Sequence, residues 1–118
     1  MREHHHTGRQ GEALAAHWLR LRGHHILDRN WRYGHLELDL VTVSEGKLHI
    51  IEVKTKRGEH GVRPEEEVRP AKLRHLLKAA DAYVRQKGVI CPMRIDVLAI
   101  RLGRDGEMEF FLIEDVYL

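Results

Sequence analysis

Apolar positions along the chain fall into two stretches with helical spacing and five of strand character. In the first helical stretch Leu14, Trp18 and Leu21 recur at i, i+4 and i+7, and Ala15 and Leu19 widen the same stripe. Thr7 is placed to cap a helix running from about Gly8 to Arg22, and Gly23 to stop it. "HHILDRNWRY" follows as a first strand, with Asp28, Arg29 and Asn30 marking a bulge or break. "LELDLVTV" and "KLHIIEVKTK" are alternating or uniformly branched and aliphatic, and "SEG" supplies the turn between them. The segment "RGEHGVRPEEEVR" reads as a long, charged loop. Pro70 then opens a second helix over about residues 70–87, with Leu73, Leu76, Leu77, Ala80, Tyr83 and Val84 as its buried face and Gly88 as its end. "MRIDVLAIRL" and "EMEFFLIEDVYL", joined by the turn "GRDG", complete the series. The order α-β-β-β-α-β-β predicts an α/β fold with a central mixed sheet flanked by helices.

Composition narrows the class. A chain of 118 residues suits one domain, residues 1–118, with its own core. With 42% hydrophobic and 32% charged residues it is globular rather than disordered. The net charge of +2 is compatible with a nucleic-acid partner without pointing to one. Cys91 stands alone, so no disulfide can form within the chain and a reducing cytoplasm is the expected compartment. No apolar run approaches the roughly 18 residues that span a bilayer, so no membrane is expected. The start "MREHHHTGRQGE" lacks the apolar region of a signal peptide. Its histidines, His4–His6, bind metal opportunistically and are assigned no function.

The chemistry sits in the central hairpin. Glu37 and Asp39 share one face of their strand, and Glu52 and Lys54 one face of theirs. Pairing through "SEG" is expected to bring both sets onto a single sheet face. Three carboxylates packed together raise one another's pKa, and burial adds to the cost. A divalent cation removes the difficulty: Mg²⁺ takes oxygen ligands, needs one or two carboxylates, and keeps water for a reacting phosphate. Lys54 would then orient that water or offset charge on the phosphate. The plainer account is a pair of cross-strand salt bridges, Glu37 or Asp39 with Lys54, on a solvated face.

Asp39 and, twelve residues on, Glu52-Val53-Lys54 resemble the D…(D/E)-x-K signature of the restriction-endonuclease-like nuclease superfamily. Within it the chain is similar to the YraN-like family of small bacterial proteins. The resemblance rests on "TGRQGEALAAHWLRLRGHHILDRNWR", "LELDLV", "IIEVKTKRG", the Lys72 helix and "RIDVLAI", which together cover most of the chain. It implies a restriction-endonuclease-like core similar to that of archaeal Holliday-junction resolvases. In those enzymes an acid from the first helix joins the strand carboxylates; by position that acid is Glu12. Glu12 also has a plainer account, a first-turn acid complementing the helix dipole. The family shows Gly-Glu-Ile-Asp where this chain has Leu36-Glu37-Leu38-Asp39, which leaves each candidate ligand in place but alters the backbone just before them.

Lys56 and Arg57 could hold a phosphate backbone beside the metal, or simply be exposed strand-end bases. Lys72 could face the cleft or solvent. Arg94 and Asp96 share a face and are expected to form an internal ion pair. Glu65–Glu67 reads as a solvated run, Trp18 as core, and Trp31 as packing or a base-stacking platform. The expectation is a Mg²⁺- or Mn²⁺-dependent nuclease acting on DNA, with branched or recombination intermediates among its substrates. Asp39, Glu52 and Glu37 would bind metal, Lys54 and Glu12 would complete the catalytic set, and Lys56, Arg57 and Lys72 would hold nucleic acid. A four-way junction has two-fold symmetry, so a junction cutter is expected to act as a homodimer. The alternative is a nucleic-acid-binding protein with a nuclease fold and no cleavage activity.

Overall fold

The computed structural model describes residues 2–58 and 69–116, with side chains from residue 10 onward. The elements are α1 (Arg2–Leu21), β1 (His25–Tyr33), β2 (Leu36–Ser44), β3 (Lys47–Arg57), α2 (Pro70–Lys87), β4 (Met93–Leu102) and β5 (Met108–Ile113). This is the α-β-β-β-α-β-β order that the residue pattern predicts. The five strands form one sheet in the order β1-β2-β3-β4-β5. It is mixed: β3 and β4 run parallel, with α2 on the connection between them, and the other neighbours are antiparallel.

Each helix covers its own side of the sheet. Leu73, Leu76, Ala79, Ala80 and Tyr83 of α2 pack on Leu38, Val41, Leu48, Ile50 and Ile95. Ala15, Ala16 and Leu19 of α1 pack on Leu40, Ile51, Leu98 and Ile100. β3 shows the strict alternation that such a two-sided core demands, with Leu48 and Ile50 on the α2 side and Ile51 and Val53 on the α1 side. β2 does not. Leu36 and Leu38 face α2, Leu40 faces α1, and Val41 faces α2 again, so the alternation breaks at Asp39.

Several expectations shift in detail. α1 begins at Arg2 rather than after a cap at Thr7; no proline interrupts the stretch, and Gly8 alone is too weak a breaker to stop a helix. Leu21 is exposed, and small Ala16 takes the buried place because α1 lies close to the sheet. On α2 the exposed Leu77 gives way to Ala79. β5 ends at Ile113, short of the predicted extent. The bulge in β1 is real: register slips between Ile26 and Asp28, and Asn30 adopts φ 53°. The β2–β3 turn is narrower than "SEG", since Ser44 pairs with Lys47 and only Glu45 and Gly46 lie between, at φ 52° and 73°. Two positive φ values match the twist of a two-residue hairpin. Most of the loop after β3, with Glu65–Glu67, lies outside the described residues, as do the side chains of His4–His6. Among the described residues no helix is long and apolar enough to cross a membrane.

Candidate metal centre

The ladder between β2 and β3 runs from Ser44↔Lys47 to Leu40↔Ile51 and stops there. The next pair in register is Asp39 opposite Glu52. Instead of continuing the backbone pairing, Asp39 Oδ2 accepts the Val53 N–H at 2.9 Å. The side chain therefore fills the split between the strands, which is why the alternation of β2 changes phase at this residue. A carboxylate here is reached from both sides of the sheet.

On the α1 side, Glu12, Glu37 and Asp39 each offer a carboxylate oxygen, all within 4.8 Å of one another. On the α2 side lies Glu52, only 3% exposed. Its Oε2 is 3.6 Å from Lys54 Nζ and 3.3 Å from Lys72 Nζ. Two ammonium groups thus converge on one oxygen of Glu52, while its carboxyl also shares a hydrogen bond with Asp39.

Burial is the largest influence on Asp39, followed by the Glu52 charge and the hydrogen bond to it; together they push its carboxyl up to about 9 against the lesser pull of the Val53 N–H. Without a cation this group keeps its proton at neutral pH. Glu12 is also raised, first by burial and then by Glu37, while the Asn30 hydrogen bond, the Arg29 charge and its contact with Asp39 pull it down.

A contact that the sequence pattern did not reveal brings Glu12 here. Gly11 lies on Thr55 of β3 so closely that a Cβ would come within 1.9 Å of Thr55 Oγ1. Only glycine allows this approach of α1 to β3, and Glu12 is the next residue. Asn30 was missed as well: it stands opposite Asp39 between the pairs Arg29↔Leu40 and Trp31↔Leu38, and bonds Glu12. The signal was present, because a polar residue that tolerates positive φ sat inside a strand.

Asp39, Glu52, Lys54, Glu12, Glu37 and Lys72 are therefore brought together. The expected single face is corrected: Glu37 and Glu12 lie on the α1 side, Glu52, Lys54 and Lys72 on the α2 side, and Asp39 bridges them. The cross-strand pairs with Lys54 do not form; Glu37 pairs with Arg32 at 3.0 Å, and Lys54 with Glu52. Glu12 is not a first-turn acid, because α1 begins ten residues earlier, at Arg2. Lys56 and Arg57 are exposed at the end of β3, and Arg57 donates to Gln10 Oε1 at 2.8 Å. Arg94 and Asp96 do not pair with each other: Arg94 meets Asp115 at 3.5 Å, and Asp96 meets His49 at 2.7 Å. Trp18 stacks on Phe110 and Trp31 packs edge-on against Tyr83, so both contribute to packing.

The donor set suits a hard divalent cation. All donors are carboxylate oxygens, and an octahedral Mg²⁺ at about 2.1 Å from its ligands spaces them by roughly 3–4.2 Å. The observed spread of up to 4.8 Å needs a contraction well within the reach of glutamate side chains. The raised Asp39 carboxyl marks a place where positive charge is lacking.

Comparison with known proteins adds the lineage. The family model described as "Uncharacterised protein family UPF0102" matches residues 11–100, which contain every acid and lysine of this centre. The chain is 37% identical over 117 residues to a UPF0102 protein of Bacteroides thetaiotaomicron, covering 99% of this chain and 96% of that one. It is 37% identical to a UPF0102 protein of Chlorobium chlorochromatii (92% and 86% covered) and 39% identical to one of Porphyromonas gingivalis (90% and 78% covered). The chain belongs to the uncharacterised protein family UPF0102.

Proposed function

We propose that the protein is a Mg²⁺- or Mn²⁺-dependent phosphodiesterase that cuts nucleic acid, with DNA as its substrate and branched or recombination intermediates as its preferred form. The observation that carries this reading is the carboxylate oxygens of Glu12, Glu37 and Asp39 gathered within 4.8 Å beside a Glu52–Lys54 pair. A nucleic-acid binder has no use for clustered acids beside its phosphate path, because they repel the ligand.

Glu12, Glu37, Asp39 and Glu52 would hold the cation. When bound it would polarise a phosphoryl oxygen and lower the pKa of a coordinated water. Asp39 must release its proton to become a ligand, and Glu52 takes that carboxyl's hydrogen bond in its resting state. Lys54, 3.6 Å from Glu52, would orient the attacking water and balance charge on the phosphate. Lys72, held by Glu52, carries a second positive charge to the same place. Lys56 and Arg57 extend the positive path along the end of β3 and would hold the strand on one side of the scissile bond. A reducing cytoplasm is the compartment that Cys91 suits, and a two-fold junction would engage two copies of the chain.

The test is a cleavage assay at low salt on labelled single-stranded, duplex and four-way-junction DNA. Mg²⁺, Mn²⁺ and EDTA are compared, with Asp39→Ala and Lys54→Ala alongside. Cleavage that requires metal and disappears in both variants supports the reading, and the preferred substrate names the role. Binding without cleavage, unchanged by either substitution, replaces it with a nucleic-acid-binding module. Neither binding nor cleavage would make the acids paired charges of a sheet.

A further inference from the structure

The net charge of +2 conceals an uneven distribution. α2 carries five cations, Lys72, Arg74, Lys78, Arg85 and Lys87, against one acid, Asp81. The helix is therefore +4 on a chain of +2, and the rest of the chain is net −2. Positive charge gathered on one element, rather than the total, is the electrostatic footprint of a protein that holds a polyanion.

Charge at the C-terminal end of the helix is already answered. Arg85 pairs with Asp81 at 3.2 Å, and Lys87 lies 3.9 Å from Asp28 and over the Tyr83 ring. At the N-terminal end Lys72 reaches the carboxylate centre itself, 3.3 Å from Glu52. Arg74 and Lys78 are different. Both are exposed, and neither forms an ion pair among the described residues. At about 100° per residue they lie on the side of α2 opposite Leu73, Leu76, Ala80 and Tyr83, which pack on the sheet. Their i, i+4 spacing sets the two Cβ atoms about 5–6 Å apart, near enough for the charged heads to hold neighbouring phosphates of one strand. His75, also exposed, falls between Lys72 and Lys78 at three-residue steps and carries an N–H donor in either protonation state. Lys72, His75, Lys78 and Arg74 lead in that order from the carboxylate centre to the outer face.

We infer that this half of α2 is a phosphate-backbone track, anchored by Arg74 and Lys78, that receives the nucleic-acid strand as it leaves the metal centre. This role of α2 rests on the nuclease reading, and it supplies the side of the scissile bond that Lys56 and Arg57 do not. Such contacts position a strand without reading its sequence, which suits a substrate recognised by its shape. An anionic lipid surface would meet the same charges, but a membrane-surface helix needs an apolar face to bury. That of α2 is spent on the sheet, leaving Leu77, 38% exposed, as its one large apolar side chain on the outside.

The test is fluorescence anisotropy of labelled duplex and four-way-junction DNA with the full chain in EDTA, over about 50–200 mM KCl. Arg74→Ala/Lys78→Ala removes both anchors, and the helix propensity of alanine keeps α2 intact. Two lost phosphate contacts should lower the slope of log K against log salt by about 1.8 on the duplex. The variant's loss of affinity across that salt range should then be about tenfold smaller than that of the native chain. Arg20→Ala/Lys47→Ala removes the same charge from α1 and the hairpin end of β3, and should leave the slope in place. An equal fall in both double variants reduces the effect to net charge and overturns the track, as does an unchanged slope in the α2 variant. A native chain that binds no DNA, or that binds equimolar phosphatidylcholine–phosphatidylserine vesicles in its place, overturns it too. Cleavage in Mg²⁺ separates this role from the nuclease reading. A slope that falls in a protein that cuts nothing keeps the track and removes the nuclease; cutting with an unchanged slope does the reverse.

Discussion

The Asp39→Asn substitution should stabilise the metal-free protein, and increasingly so as pH rises. Asn is nearly isosteric. Its amide oxygen can still accept the Val53 N–H, and its NH₂ can donate to Glu52 where the protonated acid does now. What disappears is the need to keep a proton. In the folded chain Asp39 has its pKa raised from 3.8 to about 9 by burial and then by Glu52. A raised pKa contributes stability below 3.8 that is lost progressively as pH climbs through about 9. At pH 7 the unfolded group is ionised about three pH units beyond its midpoint, while the folded group still holds its proton. At about 1.4 kcal/mol per unit, that difference sets a ceiling near 4 kcal/mol.

Water can enter the half-open split and the side chains can move apart, which brings the expected gain to about 1–2 kcal/mol. For a chain of this size that is a rise in Tm of roughly 4–8 °C. Thermal unfolding of both proteins at pH 5, 7 and 8.5 in EDTA, followed by circular dichroism, measures it. The gap should be smallest at pH 5 and widest at pH 8.5. Mg²⁺ at ten times its Kd should then raise the native protein alone, by about 1.4 kcal/mol. A variant that is less stable than the native chain, or a gap that does not change with pH, would refute the account of Asp39.

Gly11→Ala should cost about 1–3 kcal/mol in denaturant unfolding, because its Cβ meets Thr55 Oγ1 at 1.9 Å; adding Thr55→Ala should recover more than half of the loss. Tyr83→Phe removes the 2.6 Å hydrogen bond from the α2 hydroxyl to Asp28 in the bulge of β1, and should cost about 1.5–3 kcal/mol by the same assay. Arg101, buried beside the end of β3, donates to the Gly58 carbonyl at 2.7 Å and to Glu109. Arg101→Lys cannot span both acceptors and should speed amide exchange at Gly58, whereas Arg74→Lys on the exposed face of α2 should leave it unchanged.

The elements were legible because local rules governed them. Pro70 and Gly88 bracket α2 as their backbone preferences require, and Gly46 marks the β2–β3 turn, where it takes one of two positive φ angles. Burial on each helix was read less well. Leu21 and Leu77 are apolar and fall on helical stripes, yet they are exposed, because small alanines occupy the close contacts instead. Spacing identifies a stripe; it does not say how near the sheet will come. The distance of α1 is set by Gly11 against Thr55, two residues 44 positions apart, and no local pattern records that pair.

The candidate site illustrates the same limit from the other direction. "LELDL" satisfies an unbroken strand perfectly well, so alternation assigns Glu37, Asp39, Glu52 and Lys54 to one face. What breaks the alternation is a long-range bond, the Asp39 carboxylate taking the Val53 N–H that β2 backbone would otherwise pair. Once that bond forms, the strands part, Leu40 turns toward α1 while Leu38 stays with α2, and the carboxyl is left between the two helices. The same act that costs a ladder hydrogen bond opens a route by which Glu12 on one side and Glu52 on the other reach a common carboxylate. Asp39 is thus both the cause of the split and the group the split exposes. A substitution that closed the ladder, such as Asp39→Val, should therefore remove more than one ligand: it should also carry Glu12 and Glu52 apart, which the near-isosteric Asp39→Asn should not.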